Sequence, residues 1–267
     1  MTAARFALAV CALVGCQPAP PSAPAVPATP APSATHAPIA EGPAPAEETL
    51  TVGCCRALVL SPPGALRSER LPLVVALHGL GDSAAGYADV MRALPLRARV
   101  VVLDGIDPWP GGGGGRQWFA LGSLDAAPAG FVRAVDAVAA TLGALTQRLP
   151  TCGLPVVTGF SQGAMLSYAL AARAPAVVRA AVPIAGRVPI GLLPGAGQRQ
   201  GSGVRVRGLH GDADARVSLT DGRATAEALR AAGIDAQLEV FPGVGHTISG
   251  PMRQAMATAL IGLGRCP

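Results

Sequence analysis

Strand-like and helix-like runs alternate from about Thr49 to the C-terminus, and this alternation constrains the fold more than any other feature of the chain. The strand candidates are residues 52–60, 71–77, 99–103, 154–159, 180–184, 204–209 and 236–240. They are short, rich in Val and Leu, and mostly do not alternate with polar residues, as strands buried on both faces should be. The helix candidates are residues 84–93, 131–149, 162–174, 221–232 and 251–263, all Ala- or Leu-rich. The pattern predicts an α/β fold with a mostly parallel central sheet and helices on both faces. In such sheets sites form beyond the carboxyl ends of the strands, so the chemistry should follow each strand directly. At 267 residues the chain is long enough for one well-buried domain of this kind. Residues 187–203 are too short to form a separate cap domain.

Composition narrows the partners. Aromatics make up only 3% of the residues, so the core must be built mostly from Ala, Val and Leu. There is no lysine: all 21 basic residues are arginine, scattered singly and not clustered with aromatics. A formal charge of +5 without a basic stripe argues against nucleic acid as a partner. Weak attraction to an anionic membrane surface is compatible with that charge.

The first residues read as a targeting segment. One positive charge in MTAAR precedes the apolar FALAVCALVG, which is signal-peptide length and too short to span a membrane as a mature helix. It ends in Leu13-Val14-Gly15-Cys16, which resembles the bacterial lipobox. On that resemblance residues 1–16 are a lipoprotein signal and Cys16 is the lipidated residue, against the plainer reading of a secretory signal with a chance cysteine. Gln17 is not an aspartate, which points to export and anchoring at the outer membrane of a bacterial envelope. Residues 17–48 are Pro- and Ala-rich, cannot bury enough apolar surface to fold, and read as an extended tether to a domain at 49–267. If Cys16 carries lipid, Cys54, Cys55, Cys152 and Cys266 remain, and an exported protein is free to oxidise them. Four cysteines allow three pairings, and the sequence does not choose. None has metal-ligand spacing.

The most chemical stretch is Gly159-Phe160-Ser161-Gln162-Gly163, a G-x-S-x-G placed between a buried-strand run and a helical run. A sharp strand-to-helix turn there holds the serine in a strained conformation and lifts its hydroxyl above the sheet. The flanking glycines are required because a Cβ at either would strike a neighbouring element. A serine hydroxyl needs a base. His246, in the turn-rich FPGVGHTIS after the last strand, is favoured over His210, which ends a strand. The base needs an acid to fix its tautomer. Asp214 is preferred, set further into the loop GDADARV than Asp212, which suits a loop-capping role. The chain order Ser161, Asp214, His246 is the one described for α/β-hydrolases. For the oxyanion, the N–H of Gln162 supplies one donor and that of Leu80, in the glycine-flanked loop after LPLVVALHG, supplies the other. His78 reads as a brace for that loop.

Taken together, LHGLGD, GRQWF, GFSQGAM, HGDAD and GVGHTI resemble the carboxylesterase/phospholipase family of α/β-hydrolases, which includes acyl-protein thioesterases. They occur in the family's order between residues 71 and 267. The resemblance implies an eight-strand-type α/β-hydrolase sheet, no metal, no diffusible cofactor, and hydrolysis of carboxylic esters or thioesters of small-molecule or lipid substrates. It also implies Ser161, Asp214 and His246 as the triad and Leu80 and Gln162 as oxyanion donors. Trp118 would line the acyl side of the pocket, or else serve as a core aromatic. Two features depart from the family: Ala215-Arg216-Val217 stands where proline and valine often follow the aspartate, and residues 111–115 are all glycine. That run reads as a mobile flap near the pocket or as slack in a long loop. Two rival readings keep the fold. One is a catalytically silent envelope binding protein, disfavoured because no triad residue is missing. The other is a serine peptidase, disfavoured by the lack of an accessory domain. The sequence carries no signal for oligomeric state.

Overall fold

The computed structural model describes residues 42–120 and 128–266. Within them the chain forms strands β1 (Glu47–Val52), β2 (Cys55–Leu60) and β3 (Leu73–Leu77), helix α1 (Ala84–Arg92), strands β4 (Arg99–Leu103), β5 (Asp107–Pro108) and β6 (Arg116–Gln117), and helix α2 (Ala129–Arg148). It continues through β7 (Val156–Phe160), α3 (Gln162–Arg173), β8 (Ala180–Ile184), β9 (Arg205–Gly211), α4 (Leu219–Ala232), β10 (Asp235–Phe241) and α5 (Gly250–Leu263). Eight strands make one sheet in the order β1-β2-β4-β3-β7-β8-β9-β10, while β5 and β6 form a small separate ribbon. β2 is antiparallel to both its neighbours, and every pairing from β4 through β3 to β10 is parallel. This is the mostly parallel, helix-covered sheet that the alternation predicts.

The period-two rule of strands divides the core in two. Leu73, Val75 and Leu77 of β3, with Val101 and Leu103 of β4, face the side covered by α2, α3 and α4, where Phe131, Leu142, Leu166 and Leu229 pack. Val74, Ala76, Val100 and Val102 face the other side, against Tyr87 and Met91 of α1 and Met252, Met256 and Leu260 of α5. Helix α3 is buried from Gln162 through Ala172, on all sides. A helix with no polar face belongs in the middle of the structure, and α3 starts at the site described below.

Two expectations need correction. The single strand predicted over residues 52–60 is a hairpin: Val52 pairs with Cys55, and the turn between them holds Gly53 at φ +55. A Cβ on Gly53 would stand 2.2 Å from Thr141 Oγ1, so the turn also needs glycine for space. The hydrophobic run continues through this turn, which hid it. Backbone pairing also begins upstream of Thr49, with the Arg67 N–H donating to the Gly42 carbonyl and the Ala44 N–H to the Ala65 carbonyl. The cysteines pair as Cys54–Cys55 and Cys152–Cys266. Cys16 lies outside the described residues.

Candidate active site

The last residue of β7 leads directly into Ser161, whose backbone is held at φ 53, ψ −113. This is a left-handed region that a residue with a Cβ rarely enters. The glycines on either side are there for space. A Cβ on Gly159 would lie 2.5 Å from the Gly163 carbonyl carbon, and one on Gly163 would lie 2.1 Å from the Leu77 carbonyl oxygen. The crossing of α3 over β3 is therefore as close as backbones allow. The Ser161 N–H donates to the Ile184 carbonyl at 3.0 Å and its own carbonyl accepts from Met165 N–H, which pins the turn on both sides. Ser161 caps the N-terminus of α3, where the helix dipole favours negative charge.

Two later loops converge on this hydroxyl. The His246 Nε2 lies 2.9 Å from the Ser161 Oγ, and its Nδ1 lies 2.8 Å from Oδ2 of Asp214. A carboxylate only accepts, so Nδ1 carries the proton. The neutral ring then presents the Nε2 lone pair to the serine hydroxyl. The ring also rests on Phe160, with centroids 4.9 Å apart. Asp214 has no exposed side-chain surface. Burial alone would raise its pKa. The Val217 N–H, the His246 ring and the Arg216 N–H outweigh that and hold the carboxyl below the usual carboxylate range. Both backbone donors reach Oδ1, at 2.9 and 2.8 Å, leaving Oδ2 for the histidine. The Ala215-Arg216-Val217 departure thus leaves the carboxylate's backbone cradle intact.

Of the competing residues, His210 is fully buried beside Asp214: its Nε2 is 2.9 Å from the Val217 carbonyl and 3.7 Å from Asp214 Oδ2. Asp212 accepts the Gly243 N–H at 2.7 Å and so ties down the loop that carries His246.

The loop after β3 approaches the serine from the other side. A Cβ on Gly79 would lie 3.6 Å from the Ser161 Cβ. The Asp82 N–H donates to the Gly79 carbonyl, and Gly81 has φ +80, so residues 79–82 form a tight turn with Leu80 at its second position. Among the described residues, neither the Leu80 nor the Gln162 N–H donates to the protein, so both are available to a bound oxygen. His78 braces this turn. Its Nδ1–H donates to the Gly79 carbonyl at 2.6 Å and its Nε2 accepts the Gly105 N–H at 2.9 Å. Burial pushes its imidazole below the ordinary histidine value, which suits that neutral bonding pattern.

Trp118 has no surface to offer a substrate. It is fully buried, its Nε1–H donates to the His78 carbonyl at 2.9 Å, and its ring lies beside His78. Of the two readings the sequence left open, the structure favours the core aromatic, here bracing the loop. Sequence reasoning also missed the Gln162 side chain, having used only its backbone. The Gln162 Oε1 accepts the Trp118 N–H, and its Nε2 donates to the Phe119 carbonyl. A long amide side chain just after Ser161 was the available signal. Trp109 was missed as well: its ring packs against Gly81.

The profile of the Phospholipase/Carboxylesterase family matches residues 65–261, most of the chain and all of this site. The chain belongs to the phospholipase/carboxylesterase family. Family membership makes it a hydrolase of ester bonds in the general sense. Solved structures agree on the fold. Esterase PE8 superposes with a TM-score of 0.64 at 24% identity, covering 77% of this chain and 97% of its own. The Bacillus cereus carboxylesterase gives 0.63 at 16%, covering 76% and 92%. Acyl-protein thioesterase 2 of Zea mays gives 0.61 at 22%, covering 79% and 99%. The chain thus shares the α/β-hydrolase architecture of those proteins nearly from end to end of their chains.

Proposed function

We propose that this protein is a serine hydrolase that cleaves carboxylic esters through an acyl-enzyme on Ser161. The observation that carries this reading is the unbroken hydrogen-bond chain from Ser161 Oγ through His246 to Asp214, at 2.9 and 2.8 Å. His246 Nε2 takes the hydroxyl proton as Oγ attacks the ester carbonyl. Asp214 stabilises the imidazolium that results. The Leu80 and Gln162 N–H groups receive the oxyanion, aided by the N-terminus of α3, an effect worth several kcal/mol of barrier. His246 then protonates the departing alkoxide. In the second half it activates a water, and the acid leaves as Ser161 regains its proton.

A fluorophosphonate probe should label the wild type and not Ser161→Ala, and a panel of p-nitrophenyl esters, acyl thioesters and lysophospholipids should find turnover that Ser161→Ala lowers by at least about 10³-fold. Undiminished turnover by Ser161→Ala would reject the assignment. The N-terminal sequence supports a matching location: a lipid on Cys16 would place the hydrolase at the bacterial outer membrane. Incorporation of labelled palmitate that is lost in Cys16→Ser is the corresponding test.

A further inference from the structure

The proposed mechanism makes no use of Trp109, yet the ring is built into the turn that carries the Leu80 N–H. A Cβ added to Gly81 would lie 3.0 Å from Trp109 Cε3 and 3.2 Å from Cδ2 and Cζ3. The indole therefore lies directly on the Gly81 Cα. At its other end, a Cβ on Gly111 would meet Cζ2 and Cη2 at 2.3 Å. The ring fills the space that side chains at these two positions would take, so glycine at both is a condition of its placement.

The glycine run holds the ring there. The Trp109 N–H donates to the Gly115 carbonyl, Gly112 N–H to Trp109, and Gly115 N–H to Gly112. Gly112, Gly113 and Gly114 have φ of +80, +68 and +75, three successive left-handed residues that only glycine adopts without cost. The run is thus a hydrogen-bonded turn that folds Trp109 back. The strand after it clamps the same loop: Gly81 N–H donates to the Arg116 carbonyl, and Arg116 N–H donates to Asp82. A Cβ on Gly115 would lie 2.3 Å from the Gly81 carbonyl oxygen. Gly81 is held by backbone on one side and by the indole on another.

We infer that Trp109 is a positioning residue for the oxyanion site: its indole holds the Gly79–Asp82 turn in the conformation that aims the Leu80 N–H at the reacting oxygen. The inference rests on the serine-hydrolase reading above. Without the ring the turn keeps the His78 brace and the backbone clamp to Arg116 but loses the packing on its Gly81 face. A cavity of about 450 Å³, lined by Ser83, Asp104, Gly114 and Arg116, adjoins the end of the turn. Because both acylation and deacylation pass through a tetrahedral oxyanion, kcat should fall whichever step limits it.

Trp109→Ala should lower kcat about 10- to 100-fold, the scale of a donor displaced but not removed, with KM within about threefold of wild type. A trifluoromethyl ketone, which forms the oxyanion on Ser161, should lose affinity in the same proportion as kcat/KM. The pH–rate profile should not move, because His246 and Asp214 are untouched. Trp109→Phe, which restores a flat ring, should recover most of the loss. If Trp109→Ala does not fold, Trp109→Leu takes its place with the same readings. Unchanged kcat, a loss carried by KM alone, or unchanged ketone affinity would overturn the inference. Ser161→Ala, run alongside, separates the two readings: its inactivity with a fully active Trp109 variant rejects only the role of Trp109, whereas its activity rejects the serine mechanism itself.

Discussion

Gly163 leaves Leu77 no room for a methyl group: a Cβ built on it would stand 2.1 Å from the Leu77 carbonyl oxygen and 2.8 Å from that of His78. The turn at Ser161 and the loop after β3 are therefore in backbone contact, and the height of Ser161 above the sheet is set by that contact. Gly163→Ala should push α3 off β3 and cost about 3 kcal/mol or more. Gly143, inside α2 with nothing within 4 Å of its would-be Cβ, is the matched control. Gly143→Ala should gain about 0.5–1 kcal/mol from helix propensity. Urea melts of the two variants check the contrast, and comparable effects at both sites would remove the argument.

Strain at Ser161 should be measurable as stability withheld from the fold. Its φ of 53 is imposed by the turn and costs about 1–3 kcal/mol for a residue with a Cβ. Ser161→Gly releases that strain but adds freedom to the unfolded chain, about 0.4–1 kcal/mol. The net should be a gain of about 1 kcal/mol. Ser161→Ala keeps the Cβ and should melt within about 0.5 kcal/mol of wild type. Both should be inactive. A Gly variant no more stable than the Ala variant would show that the turn is not strained.

The elements were legible where a local signal coincides with a tertiary need. Short runs dominated by apolar residues announced β3, β4, β7 and β8, because strands buried on both faces carry few polar residues. The site was legible through Gly159 and Gly163, which mark close approach whatever lies opposite. The β1–β2 hairpin was missed because Gly53 sits inside a continuous apolar run, and its partner for close approach, Thr141, is far along the chain. The two tryptophans were harder still. Trp118 and Trp109 are both near the loop after β3, and nothing local says which packs beneath it and which lies on Gly81. That depends on where residues 111–115 turn back, and five consecutive glycines permit many turns.

The Cys152–Cys266 bridge should act on stability and leave the chemistry alone. It joins residues 114 apart in sequence, with Cα atoms 5.3 Å apart, and ties the end of α5 to the segment before β7. Cys152 precedes the amino end of β7 and Ser161 follows the carboxyl end, so the strand separates bridge from site. Replacing both cysteines with alanine should cost about 2–4 kcal/mol, chiefly by freeing the unfolded chain. At 25 °C, where the variant stays folded, kcat should remain within about twofold of wild type. A fall in kcat before any loss of folded protein would refute the separation.

On the proposed mechanism Asp214 serves both stability and catalysis, and one substitution separates the two. Burial raises the cost of its charge, but the Val217 N–H, His246 and the Arg216 N–H more than compensate, so its folded pKa lies below its unfolded one. A depressed carboxylate stabilises the fold fully above the unfolded pKa of about 4. That contribution is lost as pH falls through the lower folded value. Asp214→Asn has no proton to bind, so its stability carries no such slope. The stability that the carboxylate adds to wild type should shrink as pH falls through the acid range, below about 4, read from urea midpoints of wild type and variant at each pH. At pH 7 the amide keeps the shape but offers an N–H to His246, which favours the tautomer protonated on Nε2, facing Ser161. That proton blocks the base, and kcat should fall by about 10⁴-fold. A stability difference that grows on acidification would mean the carboxyl is held protonated in the fold, and the imidazolium would then have no counter-charge.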